Sequence, residues 1–325
     1  MNIPEKNTIA TRLHNMILLV GAGYMAVEYA KVLEATKLPF IAVGRGEASA
    51  GTFKNSTGID VVTGGIEKWL KTARSIPKTA IVAVSVTELG SVTKSLISHG
   101  IRSILVEKPG GLTAVEIKSV AQSAKRRGAD VFVAYNRRFY ASTQKAMEII
   151  HRDGGVRSFL FEFTEWNHLI AKMKTSPKIK KNWFLANSTH VVDLAFFLGG
   201  KPARMTSYKS GGLKWHPAAS VFSGAGVTLS GAPFSYSANW AAPGRWGVEI
   251  LTAKSRLIFR PLEKLQIQKI GSIAVEEVKI NDELDKKFKP GVYKQVRAFL
   301  SNKKNLLTTG EQARNLKYYQ KIELG

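Results

Sequence analysis

These 325 residues predict an α/β chain of two domains: a doubly wound, mostly parallel N-terminal domain, then an α+β domain built on a large, mostly antiparallel open sheet. Three observations carry that expectation. Short β-branched apolar runs alternate with helical patterns from residue 16 to about 135, the rhythm of βαβ units. Beyond Tyr140 the texture changes to closely spaced strand-like runs. A chain of this length also exceeds what one core of common size organises.

The elements follow in order. Residues 16–20 (MILLV) run into Gly21-Ala22-Gly23-Tyr24-Met25-Ala26, and a helical pattern continues through Glu28, Ala30, Val32 and Leu33. A second apolar run, 39–43, stops at Gly44-Arg45-Gly46, which completes strand, glycine turn, helix, strand. The alternation goes on with strands at 60–62, 79–86, 101–106 and Asp130–Ala134, and helices at 66–73, 89–99 and Ala114–Arg127. Runs this apolar suit a parallel sheet covered on both faces. A boundary is therefore expected at Tyr135, with domains 1–135 and 136–325 and the last helices packing back on the first domain.

In the second domain a helix at 142–151 leads into 156–168, which alternates as a half-buried strand does. Phe159, Phe161 and Phe163 would face one way, and Glu162, Thr164, Trp166 and His168 the other. A lysine-rich loop (171–183) and a helix at 188–198 follow. Strand-like runs then occupy 204–210, 218–229, 234–240, 246–252, 255–260, 265–269 and 274–280, and helices close the chain at Val292–Leu300 and 311–322.

Composition narrows the function. There is no cysteine, which excludes disulfides, thiolate metal sites and a cysteine nucleophile, and no metal site is expected. The first fifteen residues are polar and lack the apolar core of an export signal. No apolar run approaches the ~18 residues of a membrane span, so the cytoplasm is the expected compartment. Lys and Arg number 48 against 24 acidic residues, a formal charge of +24. Such a surface attracts polyanions. The basic residues are nevertheless spread along the chain, without a helix-turn-helix, zinc-finger or single-strand-binding pattern, so nucleic acid is not the expected partner. An anionic small substrate, or a generally basic proteome, explains the charge as well.

The turn at Gly21-x-Gly23-x-x-Ala26 leaves a buried strand and opens a helix, which is the setting of a Rossmann dinucleotide site. Gly21 permits the tight turn, Gly23 lets the backbone approach a pyrophosphate, and Ala26 keeps the helix close to the strand. Tyr24 and Met25 complete the binding turn, and the helix N-terminus offers amide N–H groups to phosphate. An NAD site commonly carries an acid at the end of the second strand. Here that place holds Gly44 followed by Arg45, which favours the 2′-phosphate of NADP(H) over NAD(H), although Arg45 serves equally well as a solvated loop residue.

Further along, residues 101–106 run into Glu107-Lys108-Pro109-Gly110, and the next strand into Tyr135-Asn136-Arg137-Arg138-Phe139. The helix after the lysine loop carries Asn187-Ser188-Thr189-His190-Val191-Val192-Asp193. Together with the glycine turn, these motifs resemble the Gfo/Idh/MocA family (glucose–fructose oxidoreductase, inositol dehydrogenase and relatives), in order and over essentially the whole chain. The resemblance implies that Lys108 lies beside the nicotinamide and the reacting hydroxyl, and that His190 and Asp193 face the substrate. Two departures stand out: the acid after the second strand is missing, and Ser85-Val86-Thr87 replaces the Thr-Pro that many members carry at the nicotinamide wall.

The residue chemistry fits. Hydride transfer needs a carbon held against the nicotinamide and a group that moves the hydroxyl proton. Lys108 leaves the C-terminal end of a sheet strand, where open α/β sheets bind ligands; a surface lysine before a helix is the plainer alternative. Pro109 fixes that turn, a cis peptide being one way to do so. His190 and Asp193 sit three apart on an apolar helix and share a face, so they must find partners in each other or in a ligand. Glu107 and Asn136 would border the cofactor. Tyr135, Asn187, Trp166 and His168 would meet a sugar or nucleotide-sugar substrate, Trp166 and His168 lining either the cleft or a subunit contact. The lysines of 171–183 form a solvated loop or border a nucleotide diphosphate. The expected protein is thus an NAD(P)-dependent oxidoreductase acting as a homodimer or homotetramer. The alternative is a non-catalytic dinucleotide-sensing protein of the same fold.

Overall fold

The structure, a computed structural model, describes residues 16–325. The polar segment 1–15, expected to hold no export signal, lies outside the described residues. The chain divides into two compact units, one running to Tyr135 and taking in Val292–Arg314, the other comprising Asn136–Gly291 and Asn315–Gly325.

In the first unit β1 (Ile17–Val20) is followed by α1 (Tyr24–Ala35), β2 (Phe40–Val43), α2 (Glu47–Thr57), β3 (Val61–Val62) and α3 (Ile66–Thr72). Then come β4 (Thr79–Val82), α4 (Leu89–Ser98), β5 (Ser103–Glu107), α5 (Ala114–Arg127) and β6 (Asp130–Ala134). The strands from β1 to β6 pair in parallel in the order β6-β5-β4-β1-β2-β3. Leu18, Leu19, Ala80, Ile81, Ile104 and Leu105 are wholly buried, as strands covered on both faces must be.

Two elements here escape the sequence pattern. Helix α2 (EASAGTFKNST) buries only Ala50 and Phe53 and ends at the left-handed Gly58, so its apolar face is too thin to read as a period. The expected strand at 79–86 stops at Val82. Ala83 still donates to Val20, but the chain then turns through Glu88 N–H to Ser85 O, which leaves Ser85 and Val86 in a loop.

The second unit holds an eight-stranded sheet. Its strands are β7 (Ser158–Glu162), β8 (Pro202–Ser210), β9 (Val221–Thr228), β10 (Pro233–Asn239), β11 (Gly247–Leu251), β12 (Ser255–Phe259), β13 (Gln266–Lys269) and β14 (Val275–Glu277). They order as β14-β13-β12-β11-β7-β10-β9-β8, antiparallel except for the central β7–β10 pair. Helix α6 (Ala141–Arg152) precedes the sheet. The short α7 (Asn167–Ile170) and α8 (Pro177–Lys181), a π-turn at Phe184–Ser188, and α9 (Thr189–Gly199) lie between β7 and β8. A short α10 (Glu283–Lys287) follows β14. Returning to the first unit, α11 (Val292–Leu300) leads to β15 (Leu307–Thr308), which pairs antiparallel with β6. The last helix, α12 (Thr309–Leu324), ends the chain in the second.

Phe159, Phe161 and Phe163 do share one buried face, where Phe196 of α9 meets Phe159 and Phe161 edge-on at 6.3 and 5.6 Å. The other half of the expected strand is corrected. β7 ends at Glu162, and Asn167 N–H turns back onto Glu165 O, so Trp166 precedes α7 and His168 lies within it rather than on a sheet face. The lysine loop also gains structure. Ser176 caps Ile179 N–H and Pro177 takes the first helical position, which starts α8.

Candidate active site

In the first unit the C-terminal ends of β1, β4, β5 and β6 stand level, because Val20 pairs with Val82, Val82 with Val106, and Glu107 with Ala134. The strand order reverses between β1 and β4, the place where open α/β sheets receive ligands. Gly21 sits there at φ +124°, and a Cβ on it would lie 2.3 Å from the Ala83 carbonyl oxygen. The glycine is thus needed for its contact with β4 as well as for the turn. A Cβ on Gly23, by contrast, would meet nothing within 4 Å, so the backbone at the start of α1 stands open to an approaching ligand. Tyr24 is 67% exposed beside it, while Ala26 is fully buried against the strand.

At the end of β2, a side chain at Gly44 would press on Ala22 Cβ and Val61 Cγ1, both at 2.9 Å. No carboxylate fits that position without displacing one of them, and Arg45 is the first side chain the strand can present. Its guanidinium pairs with Glu88. Gly21, Gly44, Arg45, Gly65, Val84 and Glu88 are among the residues lining a cavity of about 390 Å³. This open, glycine-lined cavity at the ends of β1, β2 and β4 offers room for the adenosine part of a dinucleotide.

Lys108 follows β5 at the same edge, half-buried, and its peptide bond to Pro109 is cis. Glu107 accepts a hydrogen bond from Tyr29 Oη of α1 at 2.7 Å. Burial, with this carboxylate beside it, holds the Tyr29 phenol well above its usual range. Tyr135 is in the core, 1% exposed, its hydroxyl accepting from Gln312 Nε2. It is therefore packed inside the first unit.

The second unit gathers a different set. Asn136, Arg137, Arg138 and Phe139 form one 3-10 turn, and its two arginines meet the two polar residues of α9. Arg138 donates Nε to Asp193 Oδ2 at 2.8 Å and its NH2 to Oδ1 at 2.6 Å, with both side chains nearly sealed from solvent. Arg137 NH1 lies 2.6 Å from His190 Nδ1. His190 and Asp193 are thus brought together on one helix face, but each faces an arginine rather than the other. Both oxygens of Asp193 accept from Arg138. A guanidinium only donates, so His190 Nδ1 is the acceptor and the imidazole proton resides on Nε2.

Asn136 also turns inward, donating to the Pro290 carbonyl at 2.9 Å and accepting from Arg137. Asn187 Nδ2 and Ser188 Oγ donate to Glu165, at 3.1 and 2.7 Å. Burial pushes the Glu165 carboxyl up, against the opposing pull of Ser188 and Arg245. Trp246 stacks under two guanidinium groups, with Arg137 Cζ 4.9 Å and Arg245 Cζ 4.5 Å from its ring, and its centroid lies 5.9 Å from that of His190. Trp166, 43% exposed, takes the other side of Arg245 at 4.4 Å, and His168 is exposed beside it. Sequence reasoning missed Arg137, Arg138, Glu165, Arg245 and Trp246.

Among the described residues no three His, Asp or Glu side chains gather as a metal would require, and no helix is long and apolar enough to cross a membrane. Residues 16–135 match the Gfo/Idh/MocA oxidoreductase family with its NAD-binding Rossmann fold. A comparison with curated proteins finds no match. Among solved structures, an NAD-binding oxidoreductase from Klebsiella pneumoniae is 15% identical, with a TM-score of 0.75 over 95% of this chain and 96% of that one. A levoglucosan dehydrogenase in complex with NADH is 17% identical, with a TM-score of 0.75 over 94% and 95%. UDP-N-acetylglucosamine 3-dehydrogenase from Acidithiobacillus ferrooxidans is 14% identical, with a TM-score of 0.72 over 95% and 96%.

Proposed function

We propose that this chain, whose residues 16–135 match the Gfo/Idh/MocA oxidoreductase family, is a nicotinamide-dependent oxidoreductase acting on a hydroxyl or keto carbon of a sugar or nucleotide sugar. The observation that carries this reading is the level strand edge. It sets the open backbone at Gly23, the cavity under Gly44 and Arg45, and the Lys108 turn along one line of parallel strand ends. The two sugar dehydrogenases of like fold support the substrate class.

A nicotinamide held there would supply the hydride donor or acceptor, and the protein positions the carbon and handles the proton. Lys108 is the proton-transfer amine. His190, in the second unit, is the other proton-transfer group of the proposal. With Nδ1 accepting from Arg137, it presents Nε2–H and donates a hydrogen bond to the reacting oxygen. That bond polarises a carbonyl or orients a hydroxyl while the amine takes or returns the proton. Asp193 acts through Arg138 as a positioning residue. Arg45, the first side chain available after β2, favours the 2′-phosphate of NADP(H), releasing Glu88 when it engages.

Lys108→Ala and His190→Ala should each lower turnover by about 10²-fold or more while the dinucleotide still binds, because proton transfer and oxyanion contacts contribute on that order. Steady-state kinetics over a polyol, sugar and nucleotide-sugar panel, with dinucleotide fluorescence as the binding assay, provide the check. Full activity in both variants rejects the mechanism. Arg45→Ala should weaken NADPH binding more than NADH binding; equal losses for both would leave Arg45 a loop residue.

A further inference from the structure

Around Trp246 the second unit carries a positive charge that its own carboxylates do not balance. Arg138 and Asp193 cancel as a closed pair. Arg245 and Glu165 face each other more loosely, 3.7 Å apart with no hydrogen bond between them among the described contacts. Arg137 has no carboxylate within 4.0 Å among the described residues; its side-chain hydrogen-bond partners are Asn136 and His190. Glu263 is exposed; it accepts from Tyr140 at 3.4 Å and acts on Arg137 only through space, from beyond ion-pair distance. Two guanidinium groups against one buried carboxylate leave a single excess charge.

Orphaned donors lie at the same spot. Arg137 Nε and Trp246 Nε1 are both sealed from solvent and have no acceptor among the described residues; Trp246 is 7% exposed and sits directly against Arg137. A buried donor without an acceptor is costly, and a buried cation without a counter-ion more so. Such groups are found where a ligand supplies what is missing. Burial in fact draws the Arg137 guanidinium below its ordinary range, and Arg245 adds to that.

We propose that Arg137, Arg245 and the Trp246 indole form an anion subsite for a carboxylate on the substrate, so that the enzyme acts on a sugar acid of the uronate or aldonate kind. The inference rests on the reading that the second unit binds the substrate. Each guanidinium carbon lies within 5 Å of the Trp246 ring, so both cations border the indole that carries the third donor. Arg245, 43% exposed in its side chain and stacked between Trp166 and Trp246, is the entry side. The charge count selects a monoanion. A phosphate dianion would overbalance the single excess charge and set its second charge near Glu165. His190, on Arg137 NH1, ties the subsite to the proposed oxygen donor.

The test uses the full-length protein and two separate readouts. Tryptophan fluorescence and calorimetry follow titration with glucuronate, galacturonate and gluconate, with glucose and galactose, and with inorganic phosphate and glucose 6-phosphate. The acids should bind about 10- to 100-fold tighter than their neutral parents, the range of a charge-assisted hydrogen-bonded pair. In Arg137→Met and Arg245→Gln that preference should collapse toward unity; Arg245 is half-exposed, so its variant keeps the question answerable if Arg137→Met fails to fold. Equal affinity for acids and parents overturns the proposal, as does tighter binding of the phosphates, or a preference unchanged in a folded variant. Nicotinamide dinucleotide binding is measured in parallel. Its absence would sink the oxidoreductase mechanism while leaving the carboxylate titration to judge the subsite.

Discussion

Removing the Asp193 carboxylate should destabilise the second unit more than any loss of a surface charge. Arg138 gives Asp193 two hydrogen bonds, at 2.8 and 2.6 Å, and the two side chains are only 10% and 1% exposed. Asp193→Ala leaves that guanidinium buried beside the Phe197 ring, 4.7 Å away, with its carboxylate gone. Breaking a buried pair on one side costs about 3–5 kcal/mol, because the abandoned charge stays desolvated. At roughly 2–4 °C per kcal/mol for a unit of this size, calorimetry should record a fall of about 10 °C in the transition of the second unit. Replacing both partners with apolar residues, Arg138→Met with Asp193→Leu, should recover most of it, since the penalty belongs to the stranded charge. A loss under about 1 kcal/mol in the single variant, or a double variant no more stable than the single, would refute a structural ion pair at this site.

Gly21→Ala should abolish dinucleotide binding and loosen the first unit, because the added methyl would lie 2.3 Å from a backbone oxygen that cannot step aside; near-normal fluorescence quenching of bound NADPH would contradict this. Glu165→Gln should alter how stability depends on pH. Burial raises the Glu165 pKa, so the folded protein holds that proton more tightly than the unfolded chain does. Its contribution is fully present below the ordinary carboxylate range and is lost as pH rises through the raised one. The variant should therefore gain on wild type across that interval and keep a constant lead above it. Parallel urea-melt curves from pH 4 to 8 would count against the assignment.

Local signals made the first unit readable. A parallel strand covered on both faces must be apolar throughout, and the glycine turn after β1 is dictated by backbone contact, so both leave a mark in consecutive residues. Helix α2 left none, since it buries two side chains in eleven residues. In the second unit alternation predicted the buried Phe159, Phe161 and Phe163 face but could not show where the strand stops. β7 stops at Glu162, and Glu165 just beyond it accepts from Asn187 and Ser188, more than twenty residues on; a period-two pattern carries no information about such partners.

The polar cluster shows the same division between local and long-range information. His190 and Asp193 stood out because two polar residues on an apolar helix need partners, and the sequence alone suggested each other or a ligand. A third source was present in the chain. Arg137 and Arg138 follow directly on the buried strand β6 and fall in a turn of mostly buried residues, so they too had to find partners. Adjacent residues on a 3-10 turn diverge by about 120°, but two long guanidinium side chains still reach two groups three apart on a helix, which share a face. The match is complete for one pair, where charge cancels charge, and incomplete for the other, where a cation meets a neutral imidazole. That imbalance is a property of the two motifs together. It arises because the 3-10 turn at Asn136–Phe139 meets α9 within the second unit, and Arg245 deepens it from a loop that no short-range pattern connects to either. The unbalanced arginine, rather than the closed ion pair, is therefore where a ligand has something to contribute.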